Sequence, residues 1–178
     1  MAYKEILLLI TYHFILNQDL SVPLLYYVAR AVILFLFFGV LTAAAWIDGK
    51  TRTIPDKLVL AVLGISLISI PFFPEIGLPD RLLGLCSASI LLLVITLCVP
   101  GAFGGGDIKL MASCGVFLGW RFSLLALGIA IFLGAAYGIQ QMSAGKADRK
   151  SQIAFGPFLC MGMVAAVFLG ERVLEFLF

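Results

Sequence analysis

The chain has 178 residues, of which 62% are hydrophobic and only 12% carry a charge. A soluble domain usually carries about twice that charged fraction, so the composition excludes an ordinary soluble protein and predicts an exterior that mostly faces lipid. The formal net charge of +2 is too small to indicate a nucleic-acid partner. We therefore expect an integral membrane protein whose surroundings are the lipid bilayer.

The chain begins with a short apolar segment, residues 5–16, which is followed by polar residues 17–19. As a helix this segment would be about 18 Å long, well short of the roughly 30 Å hydrocarbon layer. We therefore assign residues 1–23 to an interfacial or partly inserted N-terminal segment, and residues 24–178 to one membrane domain. No small-residue cleavage site precedes the polar residues, so we do not expect a signal peptide that is removed.

Six further apolar runs follow, and glycine, proline or polar residues separate them. Proline suits the first turn of a helix and disfavours helical geometry in the residue before it, so Pro55 should mark the start of the second helix. Trp120 and Arg121 should anchor the end of the fourth helix at the membrane interface. The sequence thus predicts an all-α fold, a polytopic integral membrane protein with six transmembrane helices. The predicted spans are residues 24–47, 58–73, 82–99, 108–119, 122–142 and 153–169.

Basic residues predict how these spans are oriented. Arg81 and Arg121 are the only basic residues in the loops after the second and fourth spans. The loops after the first, third and fifth spans are rich in lysine and arginine. Cytoplasmic loops of membrane proteins carry an excess of these residues. We therefore expect a multi-pass protein of the inner (plasma) membrane whose basic loops face the cytoplasm. Their basic residues are Lys50, Arg52, Lys57, Lys109, Lys146, Arg149 and Lys150.

Two acids lie where apolar runs meet the loops on this predicted cytoplasmic side. Asp48 follows the first span, and Asp107 follows three glycines at the start of the fourth. An Asp at mid-bilayer costs at least roughly 2.5 to 3.5 kcal/mol, so such residues usually serve a function. The fourth span is only about 18 Å long, so Asp107 should lie below the membrane surface. Non-helical backbone at that depth should line a water-accessible cleft.

The two acids suggest the chemistry of an aspartic peptidase. Two neighbouring carboxylates cannot both ionise cheaply, so they share a proton. One carboxylate can then take a proton from water while the other gives a proton to a peptide carbonyl. Gly104, Gly105 and Gly106 have no side chains, so an extended substrate could lie against them, and unusual backbone angles would cost little there.

Each charged residue also has a purely structural interpretation. Asp48 alone could be a water-facing acid at a helix end, and Asp107 alone could cap the helix that follows it. Asp56 should cap the second helix or place a negative charge in its first turn. Lys109 suits a role in orientation and contact with lipid headgroups.

The sequence indicates no metal site and no disulfide framework. The four cysteines lie inside apolar runs and form no C-x-x-C pair, and the chain has a single histidine. We therefore predict no metal and no other cofactor.

Three segments together resemble the type IV prepilin peptidases, a family of GxGD membrane aspartic proteases that includes the archaeal preflagellin peptidases. The segments are residues 48–56 (DGKTRTIPD), residues 104–110 (GGGDIKL) and residues 155–158 (FGPF). Their order and spacing agree with the family, and the likeness covers about residues 25–170.

The resemblance implies that Asp48 and Asp107 are the catalytic pair. It implies that the substrates are prepilins or pseudopilins, cut on the cytoplasmic side between a short basic leader and the hydrophobic helix that follows. Residues that would form the active-site loop or contact the substrate are Gly104, Gly105, Gly106, Lys109 and Pro55.

The sequence departs from many bacterial members of this family in one respect. Those members carry a cytoplasmic insertion with paired cysteines and a second activity that methylates the new N-terminus. This sequence has no cysteine pair and no glycine-rich cofactor-binding turn. We therefore expect a peptidase-only form without bound zinc or S-adenosylmethionine.

Two other classes of function are compatible with the sequence. A small transporter or channel could use its buried acids to bind a cation or relay protons, and such proteins also contain broken helices. In that case Asn at position 48 or 107 would alter flux while no peptide bond is cut. A non-catalytic membrane assembly subunit would tolerate substitution of both acids. The sequence leaves the oligomeric state open, including a homo-oligomer.

Overall fold

The computed structural model describes residues 21–99, 101–145 and 154–177. Every regular element in these ranges is helical, which confirms the predicted all-α class. Residues 1–20 of the predicted N-terminal segment lie outside the described residues, and residues 21–23 belong to the first helix described, so both this segment and the domain boundary at residue 23 stay predictions. The elements are α1 (Ser21–Thr51), α2 (Asp56–Ile68), a 3-10 turn (Ile70–Phe72), α3 (Leu78–Cys98), α4 (Gly105–Ser143) and α5 (Gly156–Leu177).

Four of the described helices, α1, α3, α4 and α5, are long and apolar enough to cross a membrane. This supports a multi-pass membrane protein but does not reproduce the predicted count of six spans. Helix α2 has 13 residues, about 20 Å of helix, and ends before the proline at position 71. The predicted fourth and fifth spans both fall within α4, which has 39 residues.

Helix α4 is broken at Gly119, whose backbone has φ 75° and ψ 172°. Side chains strongly disfavour a positive φ, so glycine is the residue that suits this position. Contacts show that the chain doubles back there. Phe103, just before α4, has its ring 4.6 Å from the ring of Phe155 between centroids. Gly134, which follows the break by four turns, packs against the same Phe155 ring.

Arg81 is a buried residue of α3, and its predicted place in a polar loop is therefore wrong. Its side chain is 1% exposed. The carbonyl of Val116 lies within one turn of the break at Gly119, where helical hydrogen bonds are lost, and Arg81 supplies a donor for it. The guanidinium donates to the carbonyls of Ile76 (3.1 Å), Val116 (3.0 Å) and Phe73 (2.9 Å) and to the hydroxyl of Ser69 (3.1 Å).

Two close backbone contacts hold α4 against its neighbours. Gly84 of α3 faces Gly115 of α4 so closely that a side chain on either residue would overlap the other's carbonyl. Gly162 of α5 lies in the same way against the backbone of Ala126 in the second half of α4. Small residues allow helix backbones to approach in this manner within membranes.

Aromatic rings fill the space between α1 and the other helices. Phe37 stacks on Phe117 with ring centroids 4.1 Å apart and planes 11° apart. Phe38 stacks on Phe168 of α5 at 5.5 Å. These contacts connect α1 to both sides of the bundle, so the position of its C-terminal turn is fixed relative to α4 and α5.

We expect Gly84→Ala to lower the midpoint of thermal unfolding by roughly 2 to 10 °C, because the added methyl group overlaps the Gly115 carbonyl. Gly64→Ala is the matched control, since no atom lies within 4 Å of a methyl group placed there. Alanine favours helix more than glycine, so this control should leave the midpoint unchanged or raise it. The measurement is thermal unfolding of the detergent-solubilised protein, and equal midpoints for the two variants would contradict the packing described.

Candidate active site

The ends of four helices meet at one end of the bundle, and Asp48 lies among them. Helix α1 extends to Thr51, beyond the predicted end at residue 47, so Asp48 occupies the last turn rather than the loop. The turn is closed by the N–H of Arg52, which donates to the Asp48 carbonyl at 2.8 Å. The Asp48 side chain is 5% exposed, so it is not the water-facing acid of the structural interpretation.

Gly156 holds the Asp48 carboxylate at the N-terminus of α5. The Gly156 N–H donates to Oδ2 of Asp48 at 2.9 Å. A methyl group on Gly156 would lie 2.6 Å from the same oxygen, so a residue with a side chain could not bring its backbone so near. The positive end of the α5 dipole also favours a negative charge at this point. This role of Gly156 was not predicted, although the residue belongs to one of the three segments that carry the resemblance.

Asp107 lies in the first turn of α4 and caps it with one oxygen. The N–H of Gly104, the N-cap residue, donates to Oδ2 of Asp107 at 3.1 Å. This oxygen thus has the role that the structural interpretation gave Asp107, although Asp107 occupies the third helical position and Gly104 is the N-cap. The other oxygen, Oδ1, is also buried and receives no hydrogen bond from any residue that the structure describes.

The structure brings the two acids together. Asp48 and Asp107 lie within range of electrostatic interaction with each other. The thiol of Cys160, one turn after Gly156 on α5, lies within range of both carboxylates. Cys160 is itself 4% exposed, so it forms an apolar wall beside the pair. Two acids far apart along the chain thus share one largely buried site.

The three glycines before Asp107 do not use the freedom to adopt unusual backbone angles. Gly104 has φ −79° and ψ 149°, and Gly105 and Gly106 lie in the first helical turn. Close packing explains Gly106, because a methyl group there would lie 3.0 Å from Cβ of Ile54. Nothing lies within 4 Å of a methyl group on Gly105, so that side of the turn is open.

The remaining predicted site residues lie at the rim of this end. Pro55 is the N-cap of α2, with φ −64° and ψ 136°, close to where the sequence placed the helix start. Asp56, in the first turn of α2, accepts a hydrogen bond from Nζ of Lys109 at 2.8 Å. Both side chains of this ion pair are more than half exposed. The pair therefore connects the starts of α2 and α4 at the surface and contributes little to stability.

The part of the chain that the structure describes contains no cluster of three or more His, Cys, Asp and Glu side chains placed to hold a metal ion. The two carboxylates and their backbone donors are the polar groups that this site offers. They can bind and position a water molecule and exchange protons with it.

Comparison with known proteins identifies relatives of this chain. A family model described as "Type IV leader peptidase family" matches residues 35–139. A protein from Legionella pneumophila named "Prepilin leader peptidase/N-methyltransferase" is 30% identical over 141 residues, which cover 76% of this chain and 49% of that protein. Proteins of the same name from Bacillus subtilis and Escherichia coli K12 are 27% identical over 140 residues and 31% identical over 134 residues, respectively.

The matched part of this chain is 79% for the Bacillus subtilis protein and 72% for the Escherichia coli protein, and the matched shares of those proteins are 56% and 59%. The chain therefore spans about half the length of the curated relatives it matches. No solved structure matches the chain significantly.

Proposed function

We propose, since this chain belongs to the type IV leader peptidase family, that it is a membrane aspartic endopeptidase that removes the leader from a prepilin or pseudopilin. The matched relatives are named prepilin leader peptidases, and the matched residues 35–139 include both Asp48 and Asp107. The observation that carries the proposal is the arrangement of these acids. Both are buried, they interact with each other, and each accepts one backbone N–H.

In the proposed mechanism the two carboxylates share one proton and bind a water molecule between them. The ionised carboxylate takes a proton from the water as its oxygen attacks the carbonyl carbon of the scissile peptide bond. The protonated carboxylic acid gives its proton to the carbonyl oxygen, which yields a tetrahedral gem-diol. The carboxyl group that took the proton from water then gives it to the peptide nitrogen, while the other carboxylate takes a proton from one gem-diol hydroxyl. The C–N bond breaks, and the leader leaves with a new carboxyl group and the mature protein with a new N-terminal amine.

The hydrogen bonds at the site support this assignment because they fix one side of each acid and leave the other side for chemistry. The backbone N–H groups of Gly156 and Gly104 each hold an Oδ2 atom. These donors belong to helix starts and are rigid, so the carboxylates need little reorganisation during the reaction. Oδ1 of Asp107, which has no donor among the described residues, is the position at which a shared proton or the water would be held.

The surroundings of the pair support an approach of the substrate along the start of α4. Gly104 and Gly105 are exposed, and the open side of Gly105 would let an extended backbone lie close to Asp107. Pro55 and the Lys109–Asp56 ion pair flank this path. We infer that these residues contact the segment around the scissile bond, with the leader directed to water and the following hydrophobic helix directed to lipid.

We further infer six membrane crossings, with the site facing the cytoplasm from the inner membrane. The reversal at Gly119 supports counting the two halves of α4 as separate crossings, and α2 together with the 3-10 turn connects the end of α1 to the opposite end of the bundle. The lysines and arginines described near Asp48 and Asp107 are Lys50, Arg52, Lys57 and Lys109, which supports a cytoplasmic location for this end.

The names of the relatives join two activities, and the proposal concerns only the peptidase. The two aspartates and the residues around them account for hydrolysis. The expectation that this chain does not bind zinc or S-adenosylmethionine stays a prediction.

Asp48→Asn and Asp107→Asn should each reduce leader removal by at least about a hundredfold, because an amide cannot exchange protons with water as a carboxylate does. The measurement is co-expression with a candidate prepilin, followed by the gel shift that accompanies loss of the leader. Glu171→Gln is the matched control. It also turns a carboxylate into an amide, but at an exposed position of α5 about four turns from Gly156, so it should retain most activity. Full processing by either variant at position 48 or 107 would remove that acid from the mechanism.

Gly156→Ala should reduce leader removal about tenfold or more, because its methyl group would lie 2.6 Å from Asp48 Oδ2 and displace the carboxylate from its donor. Gly128→Ala is the control, since a methyl group there meets no atom within 4 Å. Both variants are compared by initial rates of cleavage at equal amounts of folded protein. Equal rates would show that the Gly156 contact does not position Asp48.

Single cysteines placed in a background without the four native cysteines test the inferred topology. The reagent is a membrane-impermeant maleimide, applied to spheroplasts whose inner membrane is intact, so that it reaches only the periplasmic side. It should react with Pro74→Cys and should not react with Thr53→Cys, Ala102→Cys or Ala144→Cys. All four positions are exposed. Reaction of only one of positions 102 and 144 would mean that α4 crosses once, and equal behaviour of positions 53 and 74 would mean that α2 does not cross.

A further inference from the structure

A polar cavity lies at the end of the bundle opposite the two aspartates. It has a volume of about 220 Å³, and Gly119, Trp120, Arg121, Glu75 and Asp80 are among its lining residues. Glu75, Asp80 and Arg121 are exposed to solvent at this end. The cavity therefore presents two carboxylates and one guanidinium beside the break in α4, and the proposed peptidase mechanism uses none of them.

An apolar groove adjoins this cavity on the lipid-facing side of α3. It has a volume of about 350 Å³ and is lined by Leu83, Cys86, Ser87, Ile90 and Trp120. Trp120 lines both spaces, so the polar cavity and the apolar groove border the same residue. From Leu83 to Ile90 the groove follows α3 for about 10 Å toward the middle of the membrane.

The Trp120 ring is fixed between the two spaces. Its indole Nε1 donates to Oδ1 of Asp80 at 3.0 Å. The Arg121 guanidinium lies 5.4 Å from the centroid of the same ring. An aromatic ring held in this way at the end of a membrane helix marks the level of the lipid headgroups.

The charges around the cavity complement a zwitterion. One oxygen of Glu75 pairs with Arg30 at 2.7 Å, and one oxygen of Asp80 accepts the indole N–H, which leaves each carboxylate with a second oxygen. These two oxygens suit a primary ammonium group, which has three N–H donors. Arg121 supplies the cation for an adjacent phosphate.

We propose that the cavity and the groove together bind a bilayer phospholipid with a primary amine headgroup, phosphatidylethanolamine. The ammonium group lies between Glu75 and Asp80, the phosphate lies against Arg121, and one acyl chain follows the groove past Cys86. The site belongs to the lipid-facing surface at the end of the bundle remote from Asp48 and Asp107, and it does not depend on the proposed peptidase activity.

The same groups discriminate against the other common headgroups. A choline headgroup has no N–H to donate to the carboxylates, and the approach of Arg121 to Trp120 leaves that ring less available to bind the quaternary ammonium. A phosphatidylglycerol headgroup has no cation, so Arg121 would still attract its phosphate but nothing in the headgroup would offset the two carboxylates.

Native mass spectrometry of the delipidated full chain tests the proposal. Phosphatidylethanolamine, phosphatidylcholine and phosphatidylglycerol with identical acyl chains are titrated separately, and the ethanolamine lipid should bind about tenfold more tightly than either of the others. Equal dissociation constants for the three lipids would overturn the proposal. This comparison uses the unmodified chain, so it does not depend on the folding of any variant.

Two variants assign the binding to the cavity. Asp80→Asn keeps an acceptor for the Trp120 indole but removes the charge, so it should lower affinity for phosphatidylethanolamine about tenfold. Arg121→Gln should weaken binding of the ethanolamine and choline lipids alike, because both carry the phosphate. Arg172→Gln, an exposed arginine of α5 that lines neither space, should leave all three affinities unchanged. Unaltered affinity in the Asp80 and Arg121 variants, or an equal loss in the Arg172 variant, would place the lipid elsewhere and overturn the assignment.

Discussion

The architecture depends on two hydrogen bonds from helix starts to buried carboxylates. Only the first turn of a helix has backbone N–H groups that are free to donate in this way. The Gly156 N–H at the start of α5 reaches Asp48, and the Gly104 N–H at the start of α4 reaches Asp107. Both helices must therefore begin at the end of the bundle where α1 finishes. The chain between these two starts has to travel away and return, which is what the reversal at Gly119 achieves.

The reversal in turn depends on polar groups at the opposite end of the bundle. A positive φ at Gly119 interrupts the helix, and nearby carbonyls lose their helical donors. Arg81 replaces one of them by donating to Val116, while its other donors hold the carbonyls of Phe73 and Ile76 in the preceding loop. A buried guanidinium is costly unless its N–H groups are satisfied, and neutral carbonyls satisfy it here. The two ends of the bundle thus differ. The acids near the C-terminus of α1 are assigned to chemistry, whereas Arg81 at the opposite end stabilises the fold.

The class of fold and the grouping of the two acids could be predicted because hydropathy and loop charges are local properties of the sequence. The start of α2 near Pro55 was also visible locally, since proline fixes its own backbone. Contacts between residues that are distant in the sequence could not be predicted in this way. A hydropathy pattern counts Arg81 as a polar residue and cannot show that α4 and the preceding loop bury it. The extension of α1 through Asp48 was hidden for a related reason. An acid is unfavourable near the C-terminus of a helix, and here the N-terminus of α5 offsets that cost.

The glycines before Asp107 show what a sequence pattern leaves open. Unusual backbone angles would cost these glycines little, but Gly105 and Gly106 are helical and the positive φ in this stretch belongs to Gly101. Gly106 is small because it packs against Ile54. The packing of one helix start against the loop before α2 is a tertiary constraint. Sequence pattern reveals that glycines occur together, whereas only the fold reveals which neighbour each one accommodates.

Capping of α4 does not by itself account for Asp107. A capping residue needs one acceptor, and Asn or Ser can provide it without placing a carboxylate in a buried site. Oδ2 of Asp107 does the capping by accepting from Gly104. Oδ1 is buried without a donor among the described residues, and a buried polar atom left in that state costs about 1 to 3 kcal/mol. Helix stability therefore explains the position of Oδ2 but not that of the second oxygen, Oδ1. The proposed hydrolysis would give the second oxygen a partner, because it would hold a proton or a water molecule there.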